Sequence, residues 1–284
     1  MKLIKDIAKG IIIGISNIIP GVSGGTMAVS MGIYDTLISS ITNLLKDFRK
    51  SILTLLPFLI GMFIGIGALS FIIEYLFAHF PLQTGLLFIG LILGGLPSIT
   101  KRLKGKHFSL LNVILFISFF SVIIVLQLIS GERIAVLVTS FNLLQTFKLF
   151  LVGMVASATM VIPGVSGSLI LMLIGFYSPV IEAISNFIKG IISLDQTSIM
   201  GGIIILVPFG IGVVIGIFAI AKLIEFLLSR FETPTYCSIL GLVIASPFIV
   251  FMTLEGISFN VISILTGAVC LAIGLLISYK LGNE

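Results

Sequence analysis

The sequence is poor in charge. Only 10% of its 284 residues are Asp, Glu, Lys or Arg, whereas 58% are hydrophobic. A soluble domain carries about 25% charged residues. Several uncharged stretches exceed the roughly 20 residues that cross a bilayer as a helix. The composition therefore excludes an ordinary soluble domain and predicts an all-α polytopic membrane protein, with residues 1–284 forming one transmembrane domain.

The side chains of metal and redox sites are also scarce. Cys237 and Cys270 both lie in apolar segments, where a small core role is more typical than a disulfide, and two cysteines alone make no metal site. The sequence contains no Walker loop or nucleotide fingerprint, which disfavours ATP-driven transport. We expect no cofactor and no metal. The net charge of +5 fits cytoplasmic loops better than nucleic-acid binding.

One short sequence occurs twice. Residues 19–24 read Ile-Pro-Gly-Val-Ser-Gly, and residues 162–167 repeat all six letters. The first copy interrupts an uncharged run over residues 10–34, and the second interrupts another over residues 149–181. Six identical residues rarely recur by chance in a short chain, so the two motifs indicate a common role.

Each motif predicts a broken helix. Pro20 should end the first helix near Ile19, since proline lacks an N–H and disfavours helix before it. Ser23 and Thr26 are good N-caps for a helix that resumes toward Tyr34. A break at membrane depth must be buried in protein or line a cavity.

A helix N-terminus in such a cavity suits phosphate or carboxylate, because its N–H groups are free and its dipole end is positive. The alternative is a bare kink at which glycine lets two helices pack closely. On the first interpretation, the candidate phosphate-binding residues are Asn17, Gly21, Ser23, Gly24, Gly25 and Thr26 in the first copy and Gly164, Ser166, Gly167 and Ser168 in the second.

The motifs also fit the G-x-S-G pattern of intramembrane serine proteases. A serine nucleophile needs a positioned base. The two histidines, His79 and His107, lie at loop edges rather than deep in a span, and two nucleophiles have no evident use. We therefore expect no enzymatic activity.

The repetition extends beyond the motif. Residues 10–130 form a first repeat and residues 149–280 a second. The equivalent pairs include Pro20 with Pro163, Gly32 with Gly175, Tyr34 with Tyr177, Pro57 with Pro208, Gly61 with Gly212, Gly65 with Gly216, Glu74 with Glu225 and Gly90 with Gly241.

The basic loops set the orientation. Loops rich in Lys and Arg stay in the cytoplasm, which places both termini and residues 46–50 and 101–106 inside. Each repeat then becomes a re-entrant helical hairpin followed by about three transmembrane helices, and the repeats have inverted topology. The hairpin tips should meet near the membrane centre, with both helix N-termini facing one cavity. Residues 134–148 leave three alternatives: an extra span, a segment that lies at an interface, or the start of the second broken segment.

Glu74 and Glu225 occupy equivalent positions near the ends of spans. Ionisable residues in spans tend to mark ion or proton pathways, so both are candidates for coupling. Equally, both could be interfacial, and Lys222 is a plausible helical partner for Glu225.

The paired Pro-Gly-Val-Ser-Gly motifs, with Asn17 before the first and Gly25-Thr26 after it, resemble the bacterial PopT family of polyprenyl-phosphate translocases. The resemblance covers nearly the whole chain. It implies a flippase of the bacterial cytoplasmic membrane that returns undecaprenyl phosphate from the outer to the inner leaflet for reuse in cell-wall polymer synthesis, with possible coupling to H+ or Na+. The second copy departs from the pattern at Met160 and at Ser168-Leu169, which makes the first hairpin the more polar.

Two other functions stay open from the residues alone. One is secondary transport of a small soluble anion, and the other is a membrane scaffold whose repeats only pack.

Overall fold

The chain folds into helices throughout the part that the structure describes. The computed structural model describes residues 2–17, 19, 22–129, 142–254, 256–257 and 260–282. These residues form α1 (Lys2–Ser16), α2 (Gly24–Ser30), α3 (Tyr34–Thr42), α4 (Phe48–His79), α5 (Pro81–Gly94), α6 (Leu96–Leu103), α7 (Leu110–Leu128), α8 (Leu143–Val161), α9 (Gly167–Leu173), α10 (Tyr177–Ser193), α11 (Gln196–Arg230), α12 (Glu232–Met252) and α13 (Val261–Gly282).

Seven of the described segments are long and apolar enough to cross a membrane. They are α4 over Phe48–Gly67, α5 together with α6, and α7, α8, α11, α12 and α13. A bent pair, α9 and α10 at 112°, passes the same test together. The prediction of a polytopic all-α membrane protein is therefore confirmed. Of residues 134–148, those from Leu143 onward open α8, the first helix of the second broken segment, while residues 134–141 lie outside the described part.

Both broken segments contain three helices rather than the two expected. In the first, α1 ends at Ser16, three residues before the predicted end, and α2 stops at Ser30 instead of reaching Tyr34. Gly32 forms the turn that follows, with a positive φ of 66° that favours glycine. Gly175 forms the equivalent turn between α9 and α10, with φ of 77°.

The contacts divide the chain into two units. The first comprises Met1–Leu126, Ile162–Ser166 and Ala221–Glu284, and the second Gln127–Val161 and Gly167–Ile220. The second copy of the motif thus has its first five residues in the first unit.

In the first unit, α1 packs closely on α4 through glycine. A Cβ atom on Gly61 would clash with the carbonyl oxygen of Ile7, and one on Gly65 with that of Ile11. Because later residues of α1 lie beside later residues of α4, the two helices run parallel. Small residues allow this backbone approach, as at many transmembrane interfaces.

Two further pairs in this unit also run parallel. Gly90 of α5 contacts the backbone of Leu271 in α13, and Gly94 that of Leu275. Gly241 of α12 contacts the backbone of Phe116 in α7, and farther along these helices Phe120 and Phe248 meet edge to face at 5.7 Å between ring centroids. α5 and α12, which carry the glycines paired in the sequence repeat (Gly90 and Gly241), therefore each pack against a helix of the other predicted repeat.

In the second unit, α8 and α11 pack through glycine as α1 and α4 do in the first. Gly212 and Gly216 of α11 face the backbones of Phe150 and Met154 in α8, and Gly153 faces that of Phe209. α8 and α11 consequently run parallel, as α1 and α4 do. A small core beside them contains Val152, Ala156 and Leu171.

Two helix junctions in the first unit make identical hydrogen bonds. Thr84 Oγ1 donates to the carbonyl oxygens of Leu76 and Phe80, at 3.2 and 2.8 Å. Thr235 Oγ1 donates to those of Leu227 and Phe231, at 3.1 and 2.7 Å. The α4–α5 and α11–α12 junctions are thus equivalent down to a hydroxyl group, a correspondence that the glycine and proline spacing did not reveal.

Candidate functional site

The first motif forms the capped start of α2. Ser23 is the N-cap, and its Oγ accepts from the Thr26 N–H at 3.1 Å, as expected. Thr26 does not cap. It lies in the first turn, fully buried, with its Oγ1 2.9 Å from Ser23 Oγ. All residues of α2 are buried, and Ser30 Oγ at its end donates to the Ile92 carbonyl oxygen of α5 at 3.3 Å.

The two motif copies touch each other within the first unit. The Gly164 N–H donates to Ser23 Oγ at 3.0 Å and to Thr26 Oγ1 at 2.7 Å. Gly164 has a positive φ of 80°, and a Cβ atom there would lie 2.8 Å from the Leu242 carbonyl oxygen. The two copies therefore meet at these residues, while their position at the membrane centre stays a prediction.

The expectation of free N–H groups is wrong at three positions. Asn17 Oδ1 accepts from the Gly24 N–H at 3.1 Å, Ser23 accepts from Thr26, and Gly164 is bonded across the motif contact. Buried backbone groups need partners, and here side chains of the first copy supply them. Asn17, Ser23 and Thr26, which were predicted as anion donors, accept hydrogen bonds from backbone N–H groups in this structure.

One hydroxyl group and one side-chain amide at this contact can still donate hydrogen bonds. Ser23 and Thr26 carry two hydroxyl protons, of which one lies in their mutual hydrogen bond and the other has no acceptor among the described residues. Asn17 is exposed, and its amide nitrogen has no partner within the same part of the chain. Motion of the two copies apart would release the Gly164 N–H as well.

The remaining candidates differ in their surroundings. Gly25 is buried in α2, and Gly21 lies outside the described residues. Ser166 is half-buried in the first unit. In the second unit Gly167 begins α9, where a Cβ atom would lie 3.2 Å from Thr159 Oγ1, and Ser168 is exposed.

A second polar cluster lies in the first unit. Asp35 lies in the first turn of α3 and accepts from the Tyr236 hydroxyl at 2.7 and 2.9 Å, while Arg102 pairs with its carboxylate at 3.0 Å. These three residues line two cavities, one of about 200 Å³ and the other of about 300 Å³. The sequence analysis did not identify this cluster. Its only signal was an acidic residue placed directly after an uncharged run.

Glu74 and Glu225 have different environments. Glu74 is exposed on α4, five residues before the end of that helix at His79. Glu225 is half-buried and lines the 300 Å³ cavity with Asp35 and Glu232. The structure thus separates two residues that the repeat had made equivalent.

The basic segment 101–106 contacts the start of α12 and lies near the end of α13 in the first unit. Lys106 pairs with Glu232 at 2.8 Å, which joins residues 101–106 to the start of α12. Lys101, Arg102 and Gly282, at the end of α13, line one cavity with Gly32. Residues 101–106 and the end of α13, two of the segments that the positive-inside rule assigned to one side, thus lie together.

The chain can now be compared with known proteins. Residues 13–264 match the sequence profile of the undecaprenyl phosphate translocase-like family. The chain belongs to this family. It is 33% identical to the polyprenyl-phosphate transporter of Staphylococcus aureus over 281 residues, which is 98% of this chain and 95% of that protein. It is 30% identical to the polyprenyl-phosphate transporter of Vibrio cholerae over 264 residues, 87% of this chain and 77% of that one.

Both relatives are named as transporters, in agreement with the expectation that the chain is not an enzyme. No solved structure matches the chain. The family that the sequence motifs resemble is therefore confirmed, while the positions of the helices and of the motif contact come from this structure alone.

Proposed function

We propose that the chain is a flippase that returns undecaprenyl phosphate from the outer to the inner leaflet of the bacterial cytoplasmic membrane for reuse in cell-wall polymer synthesis. Its family and the names of its relatives support a polyprenyl-phosphate substrate. The observation that carries the proposal is the contact at which the Gly164 N–H meets the Ser23 and Thr26 hydroxyls, in a buried place where two helix breaks come together.

The lipid phosphate binds when this contact opens. Opening frees the Gly164 N–H and the two hydroxyl groups, and the Asn17 amide adds a fourth donor. A phosphate with one to two negative charges offers several acceptor oxygens, and each hydrogen bond to a charged group contributes about 1.5–3 kcal/mol. Phosphate thus replaces the contact between the motif copies, so its binding favours the separated state. For Gly167 and Ser168, in the second unit, phosphate binding stays a prediction of the sequence alone.

The repeats are inverted in this proposal. Parallel packing of α1 on α4 and of α8 on α11 supports equivalent halves. α5 runs parallel to α13, and α12 runs parallel to α7. If α5 crosses inward and α7 outward, as the basic loops require, then α12 crosses outward and α13 inward. Helices that are equivalent in sequence then cross in opposite directions, the arrangement common in secondary transporters.

Cysteine labelling tests this topology. Single cysteines replacing Ser39 and His107, both exposed, should react from the cytoplasmic face in a background without native cysteines. A cysteine at Ser193, exposed at the end of α10, should react from the outer face. A membrane-impermeant maleimide on right-side-out and inverted vesicles makes the measurement. Reaction of positions 39 and 193 from one face would contradict the inversion.

Proton coupling is proposed at Glu225. It lines a cavity with two other carboxylates, whereas exposed Glu74 does not. We expect Glu225→Gln to remove the dependence of transport on a pH gradient while leaving lipid-phosphate binding within about twofold, and Glu74→Gln to behave as wild type. Translocation rates in liposomes with and without the gradient give the measurement. Unchanged gradient dependence in Glu225→Gln would return this residue to an interfacial role.

Reconstitution tests the function itself. Liposomes carrying the purified chain should move labelled undecaprenyl phosphate between leaflets faster than protein-free liposomes, and entrapped inorganic phosphate should not leak faster. Acceleration of inorganic phosphate alone would favour transport of a soluble anion. Acceleration of neither would favour a scaffold.

A further inference from the structure

A cavity of about 690 Å³ in the first unit lies apart from the motif contact. It is formed by α1, the start of α3 and the start of α4. The lining residues combine charged side chains with an apolar floor: Leu3, Asp6, Lys9, Ile33, Thr36, Asp47, Arg49, Lys50, Leu53, Thr54, Pro57 and Phe58. Neither the phosphate site nor the coupling residues of the proposed function include any of these residues.

One of the cations that line the cavity, Lys9, is buried. Lys9 is only 9% exposed, and its Nζ donates to the Met31 carbonyl oxygen at 3.3 Å, in the turn that follows α2. A charged group is rarely buried to this extent. The uncharged residues around it include Ile33 and Phe58, both buried.

The mouth of the cavity carries two exposed cations. The Arg49 and Lys50 side chains make no ion pair with a carboxylate among the described residues. Asp47 is engaged elsewhere, because its Oδ1 caps α4 by accepting from the Lys50 N–H at 3.4 Å. Thr36 is exposed and also lines the cavity.

The formal charges of the lining residues indicate the charge of a matching ligand. Three cations (Lys9, Arg49 and Lys50) and two anions (Asp6 and Asp47) give a net charge of +1. A phosphodiester headgroup carries one negative charge and matches this value, whereas a phosphate monoester carries between one and two.

The surface beyond the mouth is apolar. Leu53 is 60% exposed and Phe63 is 75% exposed on α4, with Leu56, Leu59 and Ile60 exposed between them. This row of side chains continues along the helix from the charged rim. It provides the surface against which acyl chains attached to a headgroup in the cavity would lie.

We propose that this cavity binds the headgroup of an anionic phospholipid of the bilayer, with phosphatidylglycerol as the chemical class. The phosphate lies between Arg49 and Lys50, Thr36 donates its hydroxyl, and Lys9 supplies positive charge from below. The acyl chains follow α4. Basic pockets between helices on the cytoplasmic side bind anionic headgroups in other membrane proteins.

Thermal unfolding in neutral detergent tests the proposal without any transport measurement. Adding phosphatidylglycerol should stabilise the wild-type chain, because a ligand that binds only the folded state raises its stability. In Arg49→Gln/Lys50→Gln the concentration for half-maximal stabilisation should rise about tenfold or more. Lys46→Gln/Lys104→Gln removes the same charge from exposed lysines that do not line the cavity, and should respond as wild type.

Three further ligands complete the experiment. Phosphatidylcholine and inorganic phosphate should not stabilise the chain in this way, and the effect of undecaprenyl phosphate should be equal in both double variants. Equal responses of the two variants to phosphatidylglycerol would overturn the proposal, as would equal stabilisation by phosphatidylcholine or inorganic phosphate. Selective loss of the undecaprenyl phosphate response in Arg49→Gln/Lys50→Gln would also overturn it, since the cavity would then belong to the transported lipid.

Discussion

Replacing Ser23 by alanine and Thr26 by valine together is expected to lower the affinity for polyprenyl phosphate about a hundredfold or more, with transport reduced in parallel. Two hydroxyl donors to the phosphate are lost, and each hydrogen bond to a charged group contributes about 1.5–3 kcal/mol, with 1.4 kcal/mol equal to tenfold in affinity. In the closed contact the Gly164 N–H also loses both acceptors. Lipid binding and liposome translocation by the purified variant give the measurement.

Two controls separate this effect from general damage. Ser246→Ala removes another buried hydroxyl, one that donates only to the Leu242 carbonyl oxygen of its own helix. This variant should bind and transport as wild type. Thr26→Ser keeps the hydroxyl that accepts from Gly164 and should retain most of the activity. Wild-type affinity in Ser23→Ala/Thr26→Val would assign the contact to helix packing alone.

Replacing Gly61 by valine is expected to prevent a stable fold. A Cβ atom there would collide with the backbone of α1 at Ile7, Gly10 and Ile11, which cannot yield as a flexible side chain can. Overpacking of a well-packed site costs about 1–3 kcal/mol or more. We expect the variant to be lost from detergent extracts or to unfold well below the wild-type temperature, as measured by size-exclusion chromatography and thermal unfolding.

The same helix supplies the matched control. A Cβ atom on Gly67 would meet nothing within 4 Å, so Gly67→Val makes the same chemical change in open space and should fold normally. In the second unit, Gly212→Val should be disruptive and Gly210→Val tolerated, since only Gly212 faces the backbone of α8. Equal stability of the two variants in each pair would contradict the close packing of these helices.

The predictable part of the fold depends on features that are local in sequence. Apolar runs and their charged ends located the spans, because a helix needs about 20 apolar residues to cross a bilayer. Pro20 and Pro163 indicated the positions of the breaks, because proline in a helix removes a backbone hydrogen bond and clashes with the preceding turn. The positions of Gly32 and Gly175 in the repeat pointed to equivalent turns, although the short helices before them were not predicted.

The unpredicted part depends on partners that are distant in sequence. The role of Ser23 as an N-cap follows from its own neighbours in the sequence. The hydrogen bonds from Gly164 to Ser23 and Thr26 could not be predicted in this way, because the partners are 141 and 138 positions apart. The Asp35–Arg102–Tyr236 cluster has the same character, since no residue near Asp35 indicates its partners. The breaks were therefore correctly placed, while the assumption that their N–H groups are free was wrong.

Photolabelling tests the central claim, that the lipid phosphate binds where the two motif copies meet. A polyprenyl phosphate with a photoreactive group beside the phosphate is bound to the purified chain, irradiated, and located by mass spectrometry of the peptides. We expect labelled peptides that contain residues 17–26 and residues 162–168, with both labels suppressed by excess undecaprenyl phosphate and strongly reduced in Ser23→Ala/Thr26→Val. Labelling confined to other segments, with neither motif modified, would contradict the account.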